Sequence, residues 1–497
     1  QIEKAESGQG AGGFMYYTGN LNKCVFNFRA NTITSSSAKT NGGTICFENI
    51  NGQLRDYNFS GNTITSTKAE GAGGLMYCDG SISGSIKIEA NNKLGSISGT
   101  NGGAFYINNT DVNGLTGFAV INNKQLGNFE AVKGLGGLLY YSGKANGSFV
   151  FSGNTLSSSK SGIDGGTIYF RNQGGALTGL EYTGNSIEST LSVGSGGLLY
   201  YEGAISGGIK IESNAKLNST SGTNGGGFFI SNSDPNGING FSITNNKQFG
   251  TLVSTNGSGG LLYYSGKANG NLTIKDNMIS SSTAGKNGGS FCFENMDGGK
   301  LSNLEYSAND VKTTSLGGSG GLLYYTGAIS GLVKIEKNTK LNSGAMNDGG
   351  AFCIKNTVSN GLMNFNITDN VFGNIKSTDG SGGLVYYEGG GATSGAFNFT
   401  GNTIAEASSK GSGGSIYYKN QNGTLTNLEY SNNDVKTTSI GGSGGVMYYA
   451  GAISGTVNII GNKRISSISS ASGGAFYISN NDSNGLTGFN INDNSQI

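Results

Sequence analysis

The sequence predicts an all-β chain, a right-handed parallel β-helix of about sixteen coils wound as one continuous solenoid. Three observations predict it. A Gly-Gly pair returns every 29 to 34 residues, a period-two apolar alternation follows each pair, and an Asn closes a second short apolar alternation in every unit. Composition agrees: 497 residues hold 91 Gly, one Pro and 12% charged side chains, yet 10% are aromatic. A disordered chain would lack those aromatics, and collagen would need Gly at every third position with much Pro.

The Gly pairs begin at residues 12, 42, 73, 102, 136, 165, 196, 225, 259, 288, 320, 349, 382, 413, 444 and 473. They suit turns that need a positive φ or a close approach of two backbones. After each pair the second and fourth positions are large or apolar, as in Met15 and Tyr17 or Phe352 and Ile354. Parity turns these inward and the first, third and fifth outward. The second strand reads apolar-x-apolar-x-x-Asn, from Phe26–Asn31 to Phe489–Asn494. Its Asn recurs at Asn31, Asn62, Asn91, Asn123, Asn154, Asn185, Asn214, Asn246, Asn277, Asn309, Asn338, Asn370, Asn402, Asn433, Asn462 and Asn494. A buried amide ladder is the expected role, each side chain bonding its equivalent in the next coil. A Ser/Thr-rich third segment completes the coil. At strand spacing of about 4.8 Å, sixteen coils make a rod of about 77 Å.

A period near 124 residues groups the units in fours. GGLLYYSGKANG stands at 136–147 and again at 259–270, and GAISG at 203–207, 327–331 and 451–455. The blocks run approximately 1–133, 134–256, 257–379 and 380–497, with no linker between them. Paired GG-apolar and Phe-x-x-Asn motifs, literal at Phe28–Asn31, Phe59–Asn62, Phe151–Asn154 and Phe399–Asn402, resemble the repeats of chlamydial polymorphic outer-membrane proteins. The resemblance implies an autotransporter-type β-helix passenger, a surface location and a part in adhesion. The first motif departs from that family, with Phe105 and its equivalents where the family has Ile, Leu or Val.

Several function classes drop out. There is no His, so His-based triads and His-ligated metals are excluded. A net charge of +1 gives no electrostatic reason to bind nucleic acid. No apolar run is long enough to span a bilayer as a helix, so this segment is not expected to insert in a membrane. Five cysteines fit neither a disulfide framework nor a zinc spacing. Asp-x-Asn-Gly at 111–114, 234–237 and 482–485 suggests turns rather than calcium loops, and no cofactor or metal is expected. Carboxylates such as Glu181, Glu305 and Glu429 recur with the repeat instead of gathering at one place, so catalysis is not expected.

The third position after the Gly pair is the candidate interaction surface. It is Tyr16, Tyr77, Tyr106, Tyr140, Tyr169, Tyr200, Tyr263, Tyr324, Tyr386, Tyr417, Tyr448 and Tyr477, with Phe229, Cys46, Cys292 and Cys353 in the remaining units. Lateral packing on a partner rod or another copy is the expectation; a carbohydrate platform is the sharper alternative. The end residues Gln1, Ile2, Gln496 and Ile497 carry the repeat without a capping motif, which suggests head-to-tail contact between copies or a window of a longer chain. The sequence thus points to a structural subunit of an extracellular or cell-surface fibre, with a monomeric adhesin that binds a host surface or glycan as the alternative, and a polysaccharide lyase or hydrolase behind it.

Overall fold

A computed structural model describes residues 1–357, 362–389, 395–439 and 441–496. Among them there is no helix; about 63% lie in strands, stacked in parallel as a β-solenoid of about fifteen turns with a repeat near 31 residues. The chain forms two compact units, Gln1–Ile238 with Asn246–Thr255, and Asn239–Asn245 with Asn256–Ile497. Each is built the same way.

In the first unit, Phe105–Asn109 lies between Met76–Ile82 and Leu139–Gly143, with Tyr106 opposite Tyr77 and Tyr140. Leu115–Ile121 lies between Ser85–Glu89 and Ala145–Ser152, and Leu126–Ala131 between Lys93–Ser98 and Thr155–Ser161. In the second unit, Phe352–Asn356, Asn364–Thr368 and Val371–Ser377 repeat that three-strand coil against their neighbours on both sides. Equivalent residues therefore sit above one another, and like meets like from coil to coil.

The Gly pair is required twice over, for different reasons. The first Gly of all sixteen pairs has φ of 64–69°, the left-handed region that side chains disfavour. The second has no room: a Cβ on Gly43 would stand 2.0 Å from the carbonyl oxygen of Gly74, its counterpart one coil on. A second left-handed turn escaped the sequence reading. The residue before every ladder Asn has φ of 52–69°, and it is Gly at only five places; Ala30, Asn122, Asp276 and Lys337 are among the others.

The core follows the alternation. Phe105, Ile107, Phe352, Ile354, Phe149 and Phe151 are fully buried. The first position after the Gly pair corrects the parity expectation: Leu75, Leu138, Leu198, Leu322 and Leu384 are buried, not outward. Strands begin only at the second position, so the first lies in the preceding bend and alternation does not reach it. Thr44 there meets Ser36 of the Ser/Thr-rich segment, hydroxyl to hydroxyl at 2.5 Å.

Candidate functional site

Three ladders climb the coils. The first is the Asn corner. Asn91 donates from both its backbone N–H and its Nδ2 to Asn123 Oδ1, at 3.0 and 2.8 Å, while Nδ2 also donates to the carbonyl of Phe59 at 3.2 Å. The same pair of bonds links Asn31, Asn62, Asn91, Asn123, Asn154, Asn185, Asn214 and Asn246 in the first unit. It links Asn277, Asn309, Asn338, Asn370, Asn402, Asn433, Asn462 and Asn494 in the second. Within each unit, every corner Oδ1 after the first accepts twice, so these amide oxygens are committed to the neighbouring coil.

The second ladder was missed. Asn49, Asn109, Asn172, Asn232, Asn295, Asn356, Asn420 and Asn480 occupy the sixth position after the Gly pair, in alternate coils only. Asn172 Oδ1 accepts from the backbone of Ala145 at 2.8 Å and its Nδ2 donates back to the same residue's carbonyl at 2.9 Å. Asn109 clamps Ile82 and Asn356 clamps Ile329 in the same way. In the intervening coils the sixth position is Gly, and a Cβ on Gly203 would lie 2.7 Å from that of Asn172. Buried Tyr hydroxyls join the clamps: Tyr201 Oη donates to Ala204 O and stands 3.4 Å from Asn172 Nδ2, and Tyr325 Oη lies 3.1 Å from Asn295 Nδ2. The signal was in the sequence, as a Gly/Asn alternation with a period of two units.

The third ladder is the Tyr column. In the first unit Tyr77, Tyr106, Tyr140, Tyr169, Tyr200 and Phe229 stack with successive centroid distances of 4.7, 4.8, 5.4, 4.8 and 4.7 Å and planes within 14°. In the second, Tyr386, Tyr417, Tyr448 and Tyr477 stack at 4.9–5.0 Å and within 4°. Tyr263 and Tyr324 stand in the same register there, separated by Cys292. Most of these rings are half-buried; Tyr169 is buried and Tyr16 exposed. Cys46, Cys292 and Cys353, expected on an outward stripe, are fully buried and unpaired in disulfides. Ring hydroxyls find carboxylates: Tyr16 donates to Glu48, Tyr263 to Glu294 and Tyr386 to Glu388, at 2.6–3.0 Å. Burial pushes the phenols of Tyr106, Tyr169, Tyr324 and Tyr417 up to about 12, and the thiols of Cys46 and Cys353 likewise. A stacked ring covers its neighbour's face, so the column shows the outside edges and hydroxyls. Stacking on a sugar needs the face, and this geometry withholds it.

The remaining candidates resolve into ordinary contacts. Glu181 meets Lys210 at 3.4 Å and Glu305 meets Lys334 at 3.9 Å, half-exposed pairs on adjacent strands. Asp111 Oδ1 accepts from the backbones of Asn113 and Gly114, and its Oδ2 from Ser81 and Gln53. Asp234 and Asp482 close the same turn. No cluster of three metal-ligating side chains exists among the described residues. A shallow hollow of about 520 Å³ in the first unit is lined by Thr65, Lys93, Gly95, Gly127 and Asn128 among others, without a paired acid and base. Gln1 and Gln496 are exposed and Ile2 pairs with Ile33; Ile497 lies outside the described residues. Compared with known proteins, the chain matches no protein-family profile, no curated protein and no solved structure.

Proposed function

We propose that this chain is a structural subunit of an extracellular or cell-surface fibre, a solenoid that presents a regular surface rather than a catalyst. The observation that carries the reading is repetition: the residues that look functional recur with the coil, and successive Asn corners within each unit make the same pair of bonds. An active site concentrates unlike groups in one place, and nothing of that kind interrupts the described coils.

Assembly would proceed coil on coil. The Asn ladder has a direction, with amide donors facing one way and Oδ1 facing the other. Coils of a second copy stacked head to tail would continue that donor-to-acceptor order, a heterologous contact that propagates. Sedimentation and electron microscopy across a concentration series test this. Growing linear particles are expected; a species that stays at 50.8 kDa at every concentration overturns the fibre and leaves the adhesin.

A further inference from the structure

We propose that the five stacked phenols of the first unit form a one-electron relay that carries an oxidising equivalent along the coils and delivers it to Tyr77 or Tyr200. The inference stands apart from fibre assembly and holds for a single chain.

The residue choice is the first argument. Over eight registers the column of this unit reads Tyr16, Cys46, Tyr77, Tyr106, Tyr140, Tyr169, Tyr200, Phe229. Packing alone would accept Leu or Ile, as the neighbouring second position does at Leu139 and Ile168. Stacking alone would accept Phe throughout, as it does at 229. What Tyr and Cys share, and Leu, Ile and Phe lack, is a ready one-electron oxidation with loss of a proton.

Geometry is the second. Tyr77 to Tyr200 are five consecutive rings in contact, 4.7–5.4 Å between centroids and 3–14° between planes. Electrons exchange between touching π systems far faster than along the backbone that separates these residues in sequence. The third argument is where the proton can go. Tyr77 Oη donates to Asp79 at 3.3 Å and Tyr200 Oη to Glu202 at 3.4 Å, whereas Tyr106, Tyr140 and Tyr169 donate to no side chain among the described residues. Asp79 also accepts from Asn108, and Glu202 lies 3.7 Å from Arg171. Both ends of the stack thus offer a base, and its middle does not.

The chemistry balances with an external one-electron oxidant of the high-potential metal(III) complex class, which is itself reduced to metal(II) by the electron it takes. The oxidant takes one electron from any ring of the stack, and that ring's phenolic proton passes to water. Each hop moves one electron from the next ring to the phenoxyl, which regains a proton from water as the donor ring loses its own. At Tyr77 or Tyr200 the proton goes to Asp79 or Glu202, and the radical rests there.

A photo-oxidised ruthenium polypyridyl complex, with persulfate as its electron acceptor, supplies the oxidant, and a nitroxide couples to ring radicals for mapping by peptide mass spectrometry. Adducts are expected at Tyr77 and Tyr200 in excess of the equally half-buried Tyr106 and Tyr140. Tyr77→Phe keeps the stack, as Phe229 does, and the Tyr200 share is expected to about double, from two ends sharing the radical to one end holding it. Glu202→Gln, at the surface, is expected to move adducts four coils away to Tyr77. Adduct shares that follow exposure alone and stay fixed in both variants overturn the relay.

Discussion

The Asn corner and the Tyr column climb the same coils in the same register, yet they accept substitution very differently. Sixteen of sixteen corner residues are Asn; the column takes Tyr, Phe or Cys. The corner is buried, and each amide is bound in fixed directions to the coil on either side. The column is half-exposed and held by stacking, whose geometry is satisfied by a flat ring or by something small enough to leave the neighbours in place. Directional bonding in a dry site fixes one residue, while contact at a wet edge limits only the shape and leaves the choice among Tyr, Phe and Cys to other demands.

Alkali attacks one half of this comparison and spares the other, and should have the largest effect. Asn does not titrate. The column phenols have folded values raised by burial to about 12 at Tyr106, Tyr169, Tyr324 and Tyr417, against about 10 in an unfolded chain. A raised value means the folded state resists losing the proton. Its contribution is complete below pH ~10 and is lost as pH rises towards 12. The denaturation midpoint should therefore be flat from pH 7 to 9 and fall steeply above 10, with several protons released together. A midpoint that holds to pH 12 would show that burial does not hold these phenols protonated beyond their unfolded range.

Breaking the corner comes next. Asn185→Ala leaves the backbone N–H of Asn154 without an acceptor, takes one of the two acceptors of Asn154 Nδ2, which keeps Val120 O, and removes the side-chain donor to the carbonyl of Phe151 and to Asn214 Oδ1, all in buried surroundings. At roughly 1–3 kcal/mol for each orphaned group, a loss of about 3 kcal/mol or more is expected. Tyr140→Phe should cost less than about 1 kcal/mol, since a surface-facing hydroxyl returns to water. Hydrogen exchange localised to the mutated and adjacent coils is the right measure, because a solenoid need not unfold as one unit. Equal losses in the two variants would erase the distinction between the ladders.

A smaller effect belongs to the alternating clamp. Asn172→Ala removes two bonds to Ala145 but leaves the ladder corner intact, so a loss of about 2 kcal/mol is expected. Protection should fall at Ala145 and not at Asn154. Loss of protection at Asn154 instead would mean the two ladders act as one.

How much of this was legible follows from the kind of signal each ladder leaves. The coil, its three segments and the corner Asn repeat in every unit, and Asn185 announces itself sixteen times. The clamp repeats in every second unit, so Asn172 looked like one polar residue among many in an Asn-rich chain. The first position misled because parity holds within a strand, and Leu138 precedes the strand that begins at Leu139. The turn before the corner was invisible because Ala30 or Lys337 gives no outward sign of a left-handed backbone. Cys353 was placed on an outward stripe correctly by register, but a side chain that short stays beneath the taller Tyr on either side.

The finest contrast lies inside the core, between two sets of buried tyrosines that differ only in whether the hydroxyl is used. Tyr201 donates to Ala204 O at 2.8 Å and sits within reach of Asn172. Tyr182 and Tyr306 are as deeply buried, and their hydroxyls find no protein partner; Tyr57, two residues before their counterpart Phe59 in the first block, turns its hydroxyl to Met76 sulfur. Burial pushes all these phenols upward, so none carries charge at neutral pH. Removing a satisfied hydroxyl should cost about 1 kcal/mol, whereas removing an orphan should cost nothing or stabilise slightly, because its desolvation is no longer incurred. Tyr201→Phe and Tyr182→Phe, compared by hydrogen exchange in their own coils, should therefore move in opposite directions. A loss at Tyr182 as large as that at Tyr201 would mean the second hydroxyl is bonded after all.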